Sequence, residues 1–214
     1  MASLILFDLD GTLTDPEEGI TNSVVYALKT YGIKETPANC RRFIGPPLGP
    51  ELQKVYGVDP RESVLRFREY FEERGIFENV IYPDTEAVLQ RLKSAGKKLA
   101  VATSKPEVFA EKVLEHFGIR KYFDGVFGAT LDESRVQKPE IIHEALNAFP
   151  GLDAVMVGDR MHDIQGAKAS HIPSVGLLSG FGSRQELEEA GADHIVSSLT
   201  DTLPLLLGQA DPQN

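Results

Sequence analysis

Tryptophan is absent from the 214 residues, and cysteine occurs once, at Cys40. A lone cysteine cannot close an intramolecular disulfide, so a disulfide-stapled scaffold is excluded and a reducing compartment is expected. Positive charge is short as well: 22 Lys and Arg stand against 32 Asp and Glu, a formal charge of −10. With no Lys/Arg cluster, the chain has no basic footprint for a nucleic acid polymer or a membrane surface. Long apolar runs are lacking. None approaches the ~18 residues of a membrane span, and no basic segment precedes the short apolar run near the N-terminus. These absences predict a cytoplasmic chain that works on neither membrane nor nucleic acid polymer. An anionic substrate would need a bound cation or a local positive pocket to offset the acidity. What is present is an ordinary globular composition, 42% hydrophobic and 25% charged, on a chain long enough to bury a core.

The order of elements is set by the first strand. Leu4 to Phe7 are apolar without alternation, the pattern of a strand buried in a parallel sheet. The run opens into Asp8-Leu9-Asp10-Gly11-Thr12, which delivers two carboxylates at its carboxyl end, while Gly11 lets the backbone turn and leave a carbonyl free. The plain alternative is a solvated strand end with an Asx turn. From Asp15 to about Tyr82 the periodicity is helical throughout, broken by the Gly45-Pro46-Pro47-Leu48-Gly49-Pro50 stretch, with no strand of its own. Beyond Tyr82-Pro83, helices alternate with strands at Lys98–Thr103, Gly125–Ala129, Ala154–Val157 and Pro173–Leu177, with an edge strand at Asp193–Val196. That alternation predicts an α/β fold: a Rossmann-like parallel sheet with helices on both faces. A small all-helical cap would be inserted after the first strand. The expected domains are a core of residues 1–14 and 82–208, a cap of 15–81 and a frayed tail of 209–214.

Ligands of such sheets bind beyond the carboxyl ends of the strands, and the polar clusters here all fall there. Asp159 follows the fourth strand of the core and Asp163 comes one turn later, either as helix-capping acids or as metal ligands beside Asp8 and Asp10. Carboxylates with a free carbonyl form a hard oxygen site suited to Mg²⁺, Asp8, the Asp10 carbonyl and Asp159 directly and Asp163 through water. Thr103 and Ser104, before a helix start, offer hydroxyls and N–H groups to a phosphate, or serve as a plain N-cap. Lys138 at the next helix start is the candidate cation for that phosphate, because a helix N-terminus itself gains nothing from a lysine. Lys105 is the weaker candidate. His162 reads as a structural or supporting residue, and Glu186-Leu187-Glu188-Glu189 as a solvated helix face.

With these motifs in order, the chain resembles the phosphatases of the haloacid dehalogenase superfamily, nearest their phosphoglycolate-phosphatase-like branch. DLDGTLTD from Asp8 matches the first motif, ATSK around Thr103 the second, Lys138 the third and GDRMHD from Gly158 the fourth. The resemblance implies a Mg²⁺-dependent phosphatase acting on a small phosphorylated metabolite. Asp8 would be the nucleophile that forms an aspartyl-phosphate, and Asp10 the acid and then the base; the residues alone do not choose between these two carboxylates. Asp8, Asp10, Asp159 and Asp163 would hold the metal, and Thr103, Ser104 and Lys138 the phosphate. The helical cap would select the leaving group through Arg41, Arg42 and the turn at Gly45, the arginines being otherwise a solvated face. A sugar phosphomutase, an inorganic pyrophosphatase and a non-catalytic metal- or phosphate-binding module stay open as alternatives, and the oligomeric state is not legible.

Overall fold

The computed structural model describes residues 2–132 and 134–208, so the expected tail at 209–214 lies outside the described residues. Contacts divide the chain between Asp15 and Pro16 and again between Val80 and Ile81 into two compact units.

The α/β unit is built on a six-stranded sheet whose paired strands all run parallel. Its first strand, β1 (Leu4–Phe7), is fully buried, as its unbroken apolar run requires. The chain returns to this sheet after an excursion. Thr14–Asp15 (β2) and Val80–Ile81 (β3) pair as a two-stranded ribbon where it leaves and rejoins. The expectation of a strandless block is therefore corrected at its edges: two chain passes lying side by side satisfy each other's backbone groups.

Within the helical unit, α1 (Glu17–Thr30) starts with acids in its first turn and buries Ile20, Val24, Ala27 and Leu28. Thr36 accepts from the Asn39 N–H and starts the short α2 (Pro37–Cys40), which leads into a 3₁₀ turn at Arg41–Phe43. After the Gly/Pro stretch come α3 (Leu48–Tyr56) and α4 (Pro60–Tyr70), the latter capped by Asp59. A π turn, Phe71–Gly75, follows and lies so close to α1 that a Cβ on Gly19 would overlap the Gly75 carbonyl.

Back in the sheet, α5 (Thr85–Ser94) precedes β4 (Lys98–Pro106), which runs past Thr103 with a break in register between Thr103 and Pro106. Then follow α6 (Glu107–His116), β5 (Gly125–Ala129), α7 (Lys138–Ala148), β6 (Ala154–Gly158) and α8 (Met161–Ala169). The chain ends with β7 (Ser174–Leu177), α9 (Arg184–Ala190), β8 (His194–Val196) and α10 (Leu203–Leu207). Strand order is β5-β4-β1-β6-β7-β8, with helices on both faces. Leu4, Leu6, Ala100, Ala102 and Met156 pack against Ile141, Ile142, Ala145 and Ala167 of α7 and α8. Small residues on the strands let those helices settle close to the sheet. On β1, Phe7 meets Phe123 edge to face at 6.5 Å. Successive strands lie on one side of β1 up to β5 and on the other from β6 onward. The carboxyl end of β1 is thus the switch point, where sheets of this kind bind ligands.

Candidate active site

Asp8 continues β1 by one residue, its N–H bonded to the Val157 carbonyl at 2.9 Å. The Leu9 carbonyl then collects the N–H groups of Thr12, Leu13 and Thr14, and Gly11 turns with φ +88°. This tight loop fixes Asp8 and Asp10 on the rim of the sheet. Asp8 is buried, and Asp10 keeps 18% of its side chain exposed.

Three oxygens surround the ammonium of Lys138, at the first position of α7. Asp8 Oδ1 lies at 2.9 Å, Asp163 Oδ1 at 2.7 Å and the Ala102 carbonyl at 3.0 Å. An ammonium has three protons, so its orientation is fixed. Burial works against the charge on Lys138, but Asp163 and Asp8 outweigh it and raise its pKa above the usual lysine range. Small residues make room for these groups. A Cβ on Gly166 would stand 2.7 Å from Lys138 Cγ, and one on Gly158 would stand 2.5 Å from Asp163 Cβ.

Carboxylate oxygens of Asp8, Asp159 and Asp163 gather within 4.8 Å of one another, all three residues buried. Burial, then the charges of Asp163 and Asp8, push the Asp159 carboxyl well above the usual range. Burial raises Asp163 too, against the pull of Lys138. Anionic groups this close and this dry call for a further cation. An all-oxygen, carboxylate-rich donor set fits a hard divalent ion such as Mg²⁺, which needs only one or two carboxylates and keeps water and phosphate oxygens for the rest. Asp10 lies outside this cluster by its carboxylate. Its Oδ2 is held instead by Lys105 Nζ at 2.5 Å, and its Oδ1 is buried without a hydrogen-bond partner among the described residues. Burial raises the Asp10 pKa and Lys105 opposes that rise.

Thr103 is buried in β4 and Ser104 is exposed; the strand continues to Pro106, so α6 starts at Glu107 and not immediately after Ser104. The candidate residues of the helical unit are engaged within it. Arg41 pairs with Glu17 at 2.9 Å. Arg42 donates to the Tyr56 hydroxyl at 2.8 Å and stacks over Phe43, and Tyr56 in turn donates to Glu35 at 2.7 Å. Gly45 turns with φ +100°, a backbone open chiefly to glycine. Cys40 is buried, which pushes its thiol up to about 11.

Two parts of the site escaped the sequence reading. The loop after β7 wraps Asp159: Phe181 N–H donates to its Oδ2 at 2.7 Å, and a Cβ on Gly180 or Gly182 would collide with Asp159. Thr12 Oγ1 adds a bond to Asp159 Oδ1 at 3.3 Å. The glycine pair flanking Phe181 just beyond a strand was the available signal. Glu186 is the second, and corrects the view of its helix as a purely solvated face. It reaches across to α8, accepting from Arg160 Nε at 2.8 Å and Met161 N–H at 2.9 Å. Glu186 thereby occupies the helix N-terminus, where an anion is most favoured. His162 lies beside these groups, and burial lowers its pKa, helped by Arg160 and Lys138.

The sequence profile of the haloacid dehalogenase-like hydrolases matches residues 5–177. The chain belongs to that family. It is 43% identical over 202 residues to a 5'-nucleotidase of Pseudomonas aeruginosa, covering 91% of each chain. It is 35% identical over 210 residues to the tyrosine-protein kinase PtkA of Mycobacterium tuberculosis, covering 96% of this chain and 72% of that one. The crystal structure of a predicted phosphatase from Clostridium acetobutylicum superposes with a TM-score of 0.92 at 41% identity, covering 97% of this chain and 99% of that one. The expected family and fold hold, and the chain is an enzyme of the phosphatase kind, a hydrolase of phosphate esters. Among the described residues no helix is long and apolar enough to cross a membrane.

Proposed function

We propose that this haloacid dehalogenase-like hydrolase is a Mg²⁺-dependent phosphatase of a small phosphomonoester, working through a phosphorylated Asp8. One observation carries the reading: the switch point brings Asp8, Asp10, Lys138 and the Asp159/Asp163 pair together at the end of one buried strand. A carboxylate oxygen of Asp8 attacks phosphorus, the bond to the ester oxygen breaks, and a proton from Asp10 passes to the departing alkoxide. Water then attacks the phosphorus of the acyl phosphate, its proton returns to Asp10, and Asp8 is released with inorganic phosphate. Lys138 and Thr103 take the charge of the phosphoryl oxygens, with Ser104 beside them. Asp8, Asp159 and Asp163, together with the Asp10 carbonyl, would hold the metal, which when bound neutralises charge on phosphate and nucleophile.

The relative named a 5'-nucleotidase makes a nucleoside monophosphate the first substrate to try, beside phosphoglycolate and sugar phosphates. A cytoplasmic setting fits the free, buried Cys40. The test is inorganic phosphate release over a panel of phosphomonoesters and pyrophosphate, with and without Mg²⁺, alongside Asp8→Asn. Mg²⁺-dependent release that disappears in the variant is the expected result. Phosphate migration without release would make the enzyme a mutase. Transfer to a protein tyrosine, the activity in the name of the mycobacterial relative, would overturn hydrolysis as the principal reaction.

A further inference from the structure

Lys138 satisfies Asp8 and Asp163 and makes no hydrogen bond to Asp10 among those described; the cation on Asp10 is a different one. Lys105 Nζ sits 2.5 Å from Asp10 Oδ2, with only 5% of the Lys105 side chain exposed. A buried ammonium must be paired, and Lys105 is paired with the carboxylate that has a chemical task. The backbone that carries Lys105 is itself held firmly. Its N–H donates to Thr103 Oγ1 at 3.3 Å, and its carbonyl lies so near β5 that a Cβ on Gly128 would stand 2.6 Å away. The extension of β4 beyond Thr103, with its break in register, is what turns this lysine toward the end of β1. Asp10 is thus gripped by one oxygen, while its other, Oδ1, is buried and without a hydrogen-bond partner among the described residues.

From this geometry we infer that Lys105 is a positioning residue for Asp10, clamping Oδ2 and so fixing the carboxyl that hands a proton to the leaving group. The inference rests on the phosphatase mechanism proposed above and adds what holds and aims its acid. A clamp acting through the acid should matter in proportion to how badly the leaving group needs a proton. A nitrophenolate departs without one, whereas an alkoxide does not.

The experiment compares kcat/KM for p-nitrophenyl phosphate and for an alkyl phosphate in the wild type, Lys105→Met and Lys105→Arg, with Mg²⁺ present. Lys105→Met should lose about 100-fold on the alkyl ester and less than about tenfold on the nitrophenyl ester, the scale of a misplaced general acid. Lys105→Arg, which keeps the cation, should recover part of the alkyl-specific loss. In an Asp10→Asn background, Lys105→Met should cost almost nothing more, because its effect runs through the missing carboxyl. Equal losses on both esters, a change confined to KM, or full additivity with Asp10→Asn would overturn the clamp and make Lys105 a phosphate ligand or a packing residue. Should the Met variant fail to fold, the Arg variant and the same pair of esters decide. Absence of phosphate release by the wild type would instead sink the phosphatase mechanism, a separate result.

Discussion

Gly11 and Asp159 touch so closely that a Cβ added to Gly11 would stand 2.7 Å from Asp159 Cγ and closer still to a carboxylate oxygen. The turn that ends β1 and the acid that follows β6 are therefore fitted to one another. Gly11 also has φ +88°, where any L side chain is strained by about 1–2 kcal/mol. Gly11→Ala should lower stability by at least that amount in urea titrations. It should also raise the Mg²⁺ concentration for half-maximal activity, since Asp159 has to move. Unchanged Mg²⁺ dependence would mean that Asp159 is not a ligand.

Lys138→Met removes the cation that joins Asp8 to Asp163 and keeps the length of the side chain. Leaving two buried carboxylates facing each other should destabilise the protein by about 3–5 kcal/mol, the usual result of breaking a buried pair from one side. Phosphate release should fall to background with every ester, whatever its leaving group. That uniform loss is the contrast with Lys105, and stopped assays on two esters would show it. A Lys138 variant with wild-type kcat would remove this lysine from the reaction.

Much of this was visible in the chain, because the relevant signals are local. Leu4 to Phe7 read as a buried strand, and the carboxylates and the lysine all follow strand ends or begin helices, which a parallel sheet places near the point where its strand order reverses. Asp8, Lys138, Asp159 and Asp163 were readable in that way. The Lys105–Asp10 pair was not, since it depends on β4 continuing three residues past Thr103 with a broken register, a packing outcome without local pattern. Glu186 hid for a similar reason: in a run of acids, nothing in the sequence distinguishes the one that faces α8. Nor does periodicity show that Arg42 is occupied by Tyr56, a contact made between two helices.

Glu186 should influence the site without touching it. One of its oxygens holds both Arg160 and the first N–H of α8, the helix that carries Asp163. Bonds to a charged acceptor contribute about 1.5–3 kcal/mol in favourable settings, so Glu186→Gln should cost on the order of 1 kcal/mol while keeping the shape. The expected kinetic change is a few-fold higher Mg²⁺ concentration for half-maximal activity, with KM for the ester little altered. Glu188→Gln and Glu189→Gln, on the same helix, should change neither; equal effects from all three would point to general surface charge.

A last relationship concerns stability alone and depends on pH. Asp124 precedes β5 and ties together α5 and β4, with Lys93 Nζ and Lys98 Nζ each at 2.8 Å and the Leu99 N–H at 3.0 Å. Burial opposes its ionisation, but the two lysines and the N–H prevail and bring its carboxyl down to about 2. An unfolded aspartate titrates near ~3.9, so the folded value is the lower one. A depressed pKa means stability that is fully present above about pH 4 and is lost as pH falls toward about 2. Because these pairs are partly solvated, the gain is modest, about 1 kcal/mol at neutral pH. Asp124→Asn should therefore be less stable than the wild type by about that much at pH 7, with the gap closing between about pH 4 and pH 2. Urea midpoints for both proteins at pH 7, 5 and 3 would show the convergence. A gap that stays constant down to pH 3 would mean that Asn disturbs packing at this corner, and that the charge on Asp124 contributes nothing.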